Sequence, residues 1–188
     1  MGKREIFTGL GDEGRTGLLG EGHFNKSDLR FEVLGSLDEL SALTGVTKTY
    51  ISDFGIKDQL SEIQRCFYRV MAEISIIDEQ KIKLNGITSE DIASLDNQIQ
   101  LMGEPLEMPP GFLLPGDSII TAQIDLTRAV TRRVERRITE LYLQGGFGNK
   151  TILQFINRLS SYFFILEIKM LHDEGIVSPT LAKKIKKT

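Results

Sequence analysis

The 188-residue chain is 40% hydrophobic and 26% charged, globular proportions that exclude a disordered or fibrous protein, and its length suits one domain around one core. With 23 Lys and Arg against 26 Asp and Glu the net charge is −3, so no overall positive field draws in nucleic acid and any anion binding must come from local clustering. The N-terminal stretch MGKREIFTGL has no apolar signal region, no run reaches the roughly 18–20 apolar residues of a membrane span, and the lone Cys66 has no disulfide partner. The expectation is a cytoplasmic protein with neither a membrane nor a nucleic-acid partner.

Residues 1–26 carry Gly2, Gly9, Gly11, Gly14, Gly17, Gly20 and Gly22, too much backbone freedom for a regular helix or long strand, so this arm is read as loop. After Ser27 the residues Leu29, Val33, Leu37, Leu40 and Leu43 recur at three- and four-residue steps, predicting a first amphipathic helix to about Ile51. A second follows Gly55, with Leu60, Ile63, Phe67, Val70, Met71, Ile74 and Ile77 as its apolar stripe, fading near Lys81. Thr88 and Asp91 form a capping-box pattern for a shorter third helix through Ile92, Leu95, Ile99 and Met102.

Pro105, Pro109, Pro110, Pro115 and Gly116 then mark an ordered connector, expected to pack through Phe112, Leu113 and Leu114. Asp117 or Ser118 caps a long fourth helix whose register is Ile119, Ala122, Leu126, Val130, Val134, Ile138 and Leu141, ended by Gly145 and Gly146. The fifth starts near Asn149 and carries Leu153, Ile156, Leu159, Phe163, Leu166 and Met170 before a short basic tail opened by Ser178–Pro179. The fold class is all-α: a five-helix up-and-down bundle (27–188) with a glycine-rich arm (1–26), forming one domain over 1–188.

The chemistry concentrates on the fourth helix, where Arg128, Arg132 and Arg136 fall at i, i+4, i+8 beside Arg133 and Arg137. Five permanent cations with only Glu135 and Glu140 nearby need carboxylates from elsewhere or a bound polyanion, since guanidinium forks match phosphate. A solvated face laced with salt bridges is the competing reading. In the arm, Gly9 to Thr16 has the spacing of a phosphate-binding P-loop with Arg15 at the lysine position, but Gly17 and Gly20 stand where the required helix would start. A glycine-rich arm whose N–H groups surround phosphate remains. His23 and His172 have no ligand-spaced neighbour and no Glu-x-x-His pair occurs, so no protein metal centre is expected.

Three segments in order carry a family resemblance: the arm Ile6 to Leu18 with Lys26, Arg30, Glu32 and Gly35-Ser-Leu-Asp38-Glu39-Leu40; the connector Phe112-Leu-Leu-Pro115-Gly116 running into Arg128, Arg132, Arg133, Glu135 and Arg136; and Ile156-Asn157-Arg158-Leu159-Ser160. Together they resemble the signatures of the PduO-type ATP:cob(I)alamin adenosyltransferases over nearly the whole chain. The resemblance implies a bundle ferritin-like in outline, a homotrimer with sites at subunit interfaces, and transfer of the adenosyl group of ATP to cobalamin with Mg2+ present. It implies ATP contacts from Thr8, Gly11, Asp12, Gly14, Arg15, Thr16, Lys26, Arg132, Glu135, Arg136 and Asn157. Arg132, Arg128 and Asp38 would be catalytic, with Asp38 pairing to Arg128 across a subunit boundary, and Phe112 would line the corrinoid pocket. A corrinoid reductase and an adenosylcobalamin-dependent enzyme are the implied protein partners.

The chain departs from the pattern at Gly9, where the family usually has Lys or Arg, and at Glu13, where Lys is usual. Asp117 in place of a second glycine and Ser161 in place of an aspartate are milder departures. The first two keep an alternative in view: a catalytically impaired bundle that binds ATP or a corrinoid as sensor or carrier.

Overall fold

A computed structural model describes residues 9, 11–19, 22–76 and 84–183. Five helices carry the fold: α1 (Leu29–Tyr50), α2 (Phe54–Ile74), α3 (Ser89–Gly103), α4 (Ile119–Leu143) and α5 (Thr151–Asp173). Side-chain caps set four of the starts. Asp28 accepts from Arg30 N and Asp53 from Ile56 N, and the expected Thr88–Asp91 box opens α3. Ser118, rather than Asp117, caps α4, with Thr121 closing a reciprocal box; each such cap satisfies amides the first helical turn cannot pair.

Three residues, 51–53, join α1 to α2 and seven, 144–150, join α4 to α5, connectors short enough to fold each pair back on itself. The helices pack side by side in the order α2, α1, α4, α5, α3, and the Tyr162 hydroxyl of α5 lies 3.1 Å from Oε1 of Gln59 on α2, closing the bundle. Its core joins Leu37 and Leu40 of α1, Phe67 of α2, Leu95 of α3, Ile124 and Ile138 of α4, and Phe155, Tyr162 and Phe163 of α5. No helix among the described residues is long and apolar enough to cross a membrane.

The structure corrects several expectations. α2 begins one residue before Gly55 and ends at Ile74, short of the fading point near Lys81; Ile77 and Lys81 lie outside the described residues. In the first half of α4 the buried face is Ile120, Thr121, Ile124 and Thr127, while Ile119 is 72% exposed and Leu126 is also exposed. Threonines take that face because they satisfy themselves: Thr127 and Thr131 donate to the carbonyls of Gln123 and Thr127, and the Thr127 hydroxyl lies 3.0 Å from that of Thr47 on α1.

The arm, expected as loop, holds a two-residue antiparallel ladder between β1 (Arg15–Thr16) and β2 (Phe24–Asn25). The connector's Phe112 is 79% exposed, not packed, because its backbone is held instead. Ala182 N donates to Phe112 O, Leu114 N donates to Thr180 O, and Asp117 accepts from the amide and hydroxyl of Thr180. The segment after α5 thus turns back and clamps the connector.

Candidate active site

Helical geometry sorts the five arginines. At about 100° per residue, Val130, Val134 and Ile138 point to the core; Arg133 and Arg137 fall toward α1, Glu135 and Arg128 toward α5, and Arg132 and Arg136 directly away from the core. The partners follow. Arg133 pairs with Glu39 of α1, and Arg137 lies 3.8 Å from Glu32 of α1 and 3.0 Å from Glu140. Arg128 is half-buried and donates through Nε and Nη2 to Asp125 Oδ1 at 2.9 and 2.5 Å. Arg132 and Arg136 are exposed, and among the described residues neither reaches a carboxylate; the Arg136 guanidinium donates only to the Arg132 carbonyl, at 3.0 Å. Two cations therefore stand side by side, one helical turn apart, uncompensated among the described residues.

Beside them Glu135 Oε1 accepts from Asn157 Nδ2 of α5 at 2.8 Å. Asn157 Oδ1 accepts from Arg158 Nη1 at 3.3 Å, and Arg158 Nε donates to Asp96 Oδ1 of α3 at 2.8 Å. Arg132, Glu135, Arg136 and Asn157, the predicted residues from the bundle, thus form one surface of α4 and α5.

The predicted arm residues form a second cluster. Gly9 and Gly14 hold positive φ of 69° and 75°, which side chains rarely adopt. The loop closes through Asp12 N to Gly9 O and Lys26 N to Gly14 O. Lys26 Nζ donates to Gly11 O at 2.7 Å, and Arg15 Nη2 to His23 O at 2.8 Å. A Cβ on Gly11 would lie 2.9 Å from Lys26 Nζ, so glycine here lets the ammonium sit against the loop. Asp12 is exposed and Thr16 half-buried; Thr8 lies outside the described residues.

The arm docks on the end of α2, where Leu19 N donates to Ser75 O and Arg30 Nη1 to the carbonyls of Ile74 and Ile76. Among the described residues no hydrogen bond or ion pair joins the arm to α4 or α5, so the two clusters are not joined within the described part of the chain. Asp38 is exposed on α1 and makes no ion pair among the described residues; Arg128 turns to Asp125 instead. No group of three or more His, Cys, Asp and Glu among the described residues could hold a metal ion.

Sequence reasoning missed three participants. Asp125 was readable three residues before Arg128. Glu167 interrupts the apolar run Phe163 to Ile168 and is buried, its carboxyl pushed up to about 7 by loss of solvent and by Asp125 and Asp117, against the pull of Arg128. Asp96 carried no local signal, because its partner lies on a helix far along the chain.

A five-helix bundle with exposed paired cations beside a carboxylate–amide hydrogen bond, and with a separate glycine-rich loop, is the class of protein the fold and surface define. Residues 6–170 match the model of the cobalamin adenosyltransferase family, and the chain belongs to that family. It is 33% identical over 164 residues to the corrinoid adenosyltransferase of Bacillus subtilis, covering 85% of this chain and 83% of that one. To the corrinoid adenosyltransferase PduO of Salmonella typhimurium it is 31% identical over 162 residues, 86% of this chain but 48% of that longer protein. Among solved structures, a variant PduO-type ATP:corrinoid adenosyltransferase from Lactobacillus reuteri, complexed with cobalamin and ATP, superposes with a TM-score of 0.88 at 27% identity over 96% of this chain and 100% of that one.

Proposed function

We propose that this protein transfers the 5′-deoxyadenosyl group of ATP to the cobalt of cob(I)alamin, releasing triphosphate and forming adenosylcobalamin. The observation that carries the reading is the pair Arg132 and Arg136, the two helix-α4 arginines in this cluster without a carboxylate partner among the described residues, facing outward beside Glu135 and Asn157.

In the reaction the cobalt(I) lone pair attacks C5′, the cobalt–carbon bond forms, and the C5′–O bond breaks with its electrons leaving on triphosphate. The protein needs no nucleophile of its own; its task is positioning and charge stabilisation. Negative charge grows on the departing triphosphate, and fixed guanidiniums hold it more tightly in the transition state than in ATP. Mg2+ bound with ATP would supply further positive charge against the departing triphosphate. The Glu135–Asn157 pair offers an acceptor and a donor at the edge of the cation surface for the nucleoside end.

The arm, with Gly11, Asp12, Gly14, Thr16 and Lys26, closes over the phosphates from a neighbouring protomer of a homotrimer. This is supported by the lack of any hydrogen bond or ion pair between the two clusters among the described residues. Asp38 pairs with Arg128 across the same boundary, supported by its exposure and its lack of an ion pair among the described residues. Phe112, exposed on a clamped connector, covers the corrinoid. We place the protein in the cytoplasm, in keeping with the free Cys66. Quantifying triphosphate and adenosylcobalamin from reduced cobalamin and MgATP tests the reading: equal yields support it. ATP or corrinoid binding by calorimetry with no product supports a carrier or sensor instead.

A further inference from the structure

The geometry points to Asp96 and Arg158 as positioning residues that set the orientation of Asn157, and through it Glu135, at the nucleotide surface. The inference rests on the assignment of Glu135 and Asn157 to ATP and extends it to α3, a helix with no other residue in the site.

An exposed asparagine turns freely and can present either its oxygen or its nitrogen to a neighbour. Here both ends are spoken for. Nδ2 donates to Glu135 Oε1 at 2.8 Å and Oδ1 accepts from Arg158 Nη1 at 3.3 Å. Adjacent residues on a helix do not ordinarily face one another, so Arg158 needs an anchor to reach back to Asn157. Asp96 supplies it: Nε of Arg158 is held at 2.8 Å by Asp96 Oδ1. The guanidinium is planar, and with Nε tethered the direction of Nη1 is restricted. The order Asp96, Arg158, Asn157, Glu135 therefore runs from α3 through α5 to α4 and ends beside Arg132 and Arg136. It leaves the second N–H of Asn157 and the second oxygen of Glu135 without a hydrogen-bond partner among the described residues and so open to a ligand.

The pair contributes little to folding, because Arg158 and Asp96 are 45% and 46% exposed and such pairs are only weakly stabilising. Its effect is read in nucleotide binding. In the full-length protein, Asp96→Ala is expected to raise the KM for ATP about threefold to tenfold, the range one hydrogen bond spans, with kcat and thermal midpoint nearly unchanged. Arg158→Lys, which keeps the charge but loses the two-ended fork, should match it. Asp96→Asn, which keeps an acceptor in place, should restore most of the affinity.

The deciding variant is the double substitution with Asn157→Ala: if Asp96 acts through Asn157, adding Asp96→Ala to Asn157→Ala leaves KM where Asn157→Ala alone put it. Additive effects, or a normal KM in Asp96→Ala while Asn157→Ala is impaired, would overturn the relay and leave the functional reading standing. An Asn157→Ala protein with normal KM would remove the underlying ATP assignment and the relay with it.

Discussion

Replacing Glu167 by Gln should stabilise the protein at alkaline pH and leave it unchanged in acid. Glu167 is only 4% exposed on α5, and loss of solvent together with Asp125 and Asp117 lifts its carboxyl from an ordinary 4.5 to about 7, with Arg128 pulling the other way. The unfolded chain releases this proton near 4.5 and the folded chain only near 7. Over that window the unfolded state binds fewer protons, so stability falls as pH rises and levels off above about 7. At about 1.4 kcal/mol per pH unit, the ionised side chain costs the fold about 3 kcal/mol. Glutamine keeps the shape and cannot ionise, so Glu167→Gln should match wild type at pH 4.5 and exceed it by up to about 3 kcal/mol at pH 8. With a urea slope of about 2 kcal/mol/M, that is a midpoint shift of about 1–2 M, measured by circular dichroism at fixed protein concentration because assembly also stabilises. A Glu167→Gln protein equally shifted at both pH values, or less stable at pH 8, would refute the reasoning.

Arg132→Ala should lower turnover about 10²–10³-fold while helical circular dichroism and oligomer size stay as in wild type; loss of helicity would make Arg132 structural. Arg128→Ala and Asp38→Ala should each shift the oligomer toward monomer by sedimentation, with Arg128→Ala also losing stability because it leaves the half-buried Asp125 unpaired; an unchanged oligomer in both would remove the proposed subunit contact. Phe112→Ala should change stability by less than about 0.5 kcal/mol, as an exposed residue does, yet weaken corrinoid use. A large melting shift would mean Phe112 packs against protein.

The parts of this fold that were legible in the sequence are those that local chemistry specifies. Thr88 and Asp91 announced α3 because a capping box is contained in four residues, and the stripe of α5 was readable because, Glu167 apart, its buried side chains are apolar or aromatic. The offset in α4 was hidden because Thr127 and Thr131 look polar in a sequence and become core only once their hydroxyls find carbonyls one turn back. The pairing of Leu113 with Leu181 and the anchoring of Arg158 by Asp96 join residues distant along the chain, where no periodicity operates.

At the site, the clustering of arginines was plain, but which of them are free was not. Glu39 and Glu32 neutralise Arg133 and Arg137 only because α1 packs alongside α4. The arm's ladder escaped notice because glycine content argues against strands; Gly14, just before β1, and Gly22, shortly before β2, both hold positive φ.

The central claim is that the exposed arginine pair serves adenosyl transfer. Its most direct test is to mix the purified protein anaerobically with MgATP and chemically reduced cob(I)alamin and follow the visible spectrum. The expected result is ATP-dependent conversion to the spectrum of a cobalt–carbon-bonded adenosylcobalamin that light then cleaves, with the rate collapsing in Arg132→Ala. A spectrum that stays at the no-protein rate while ATP binds would contradict it.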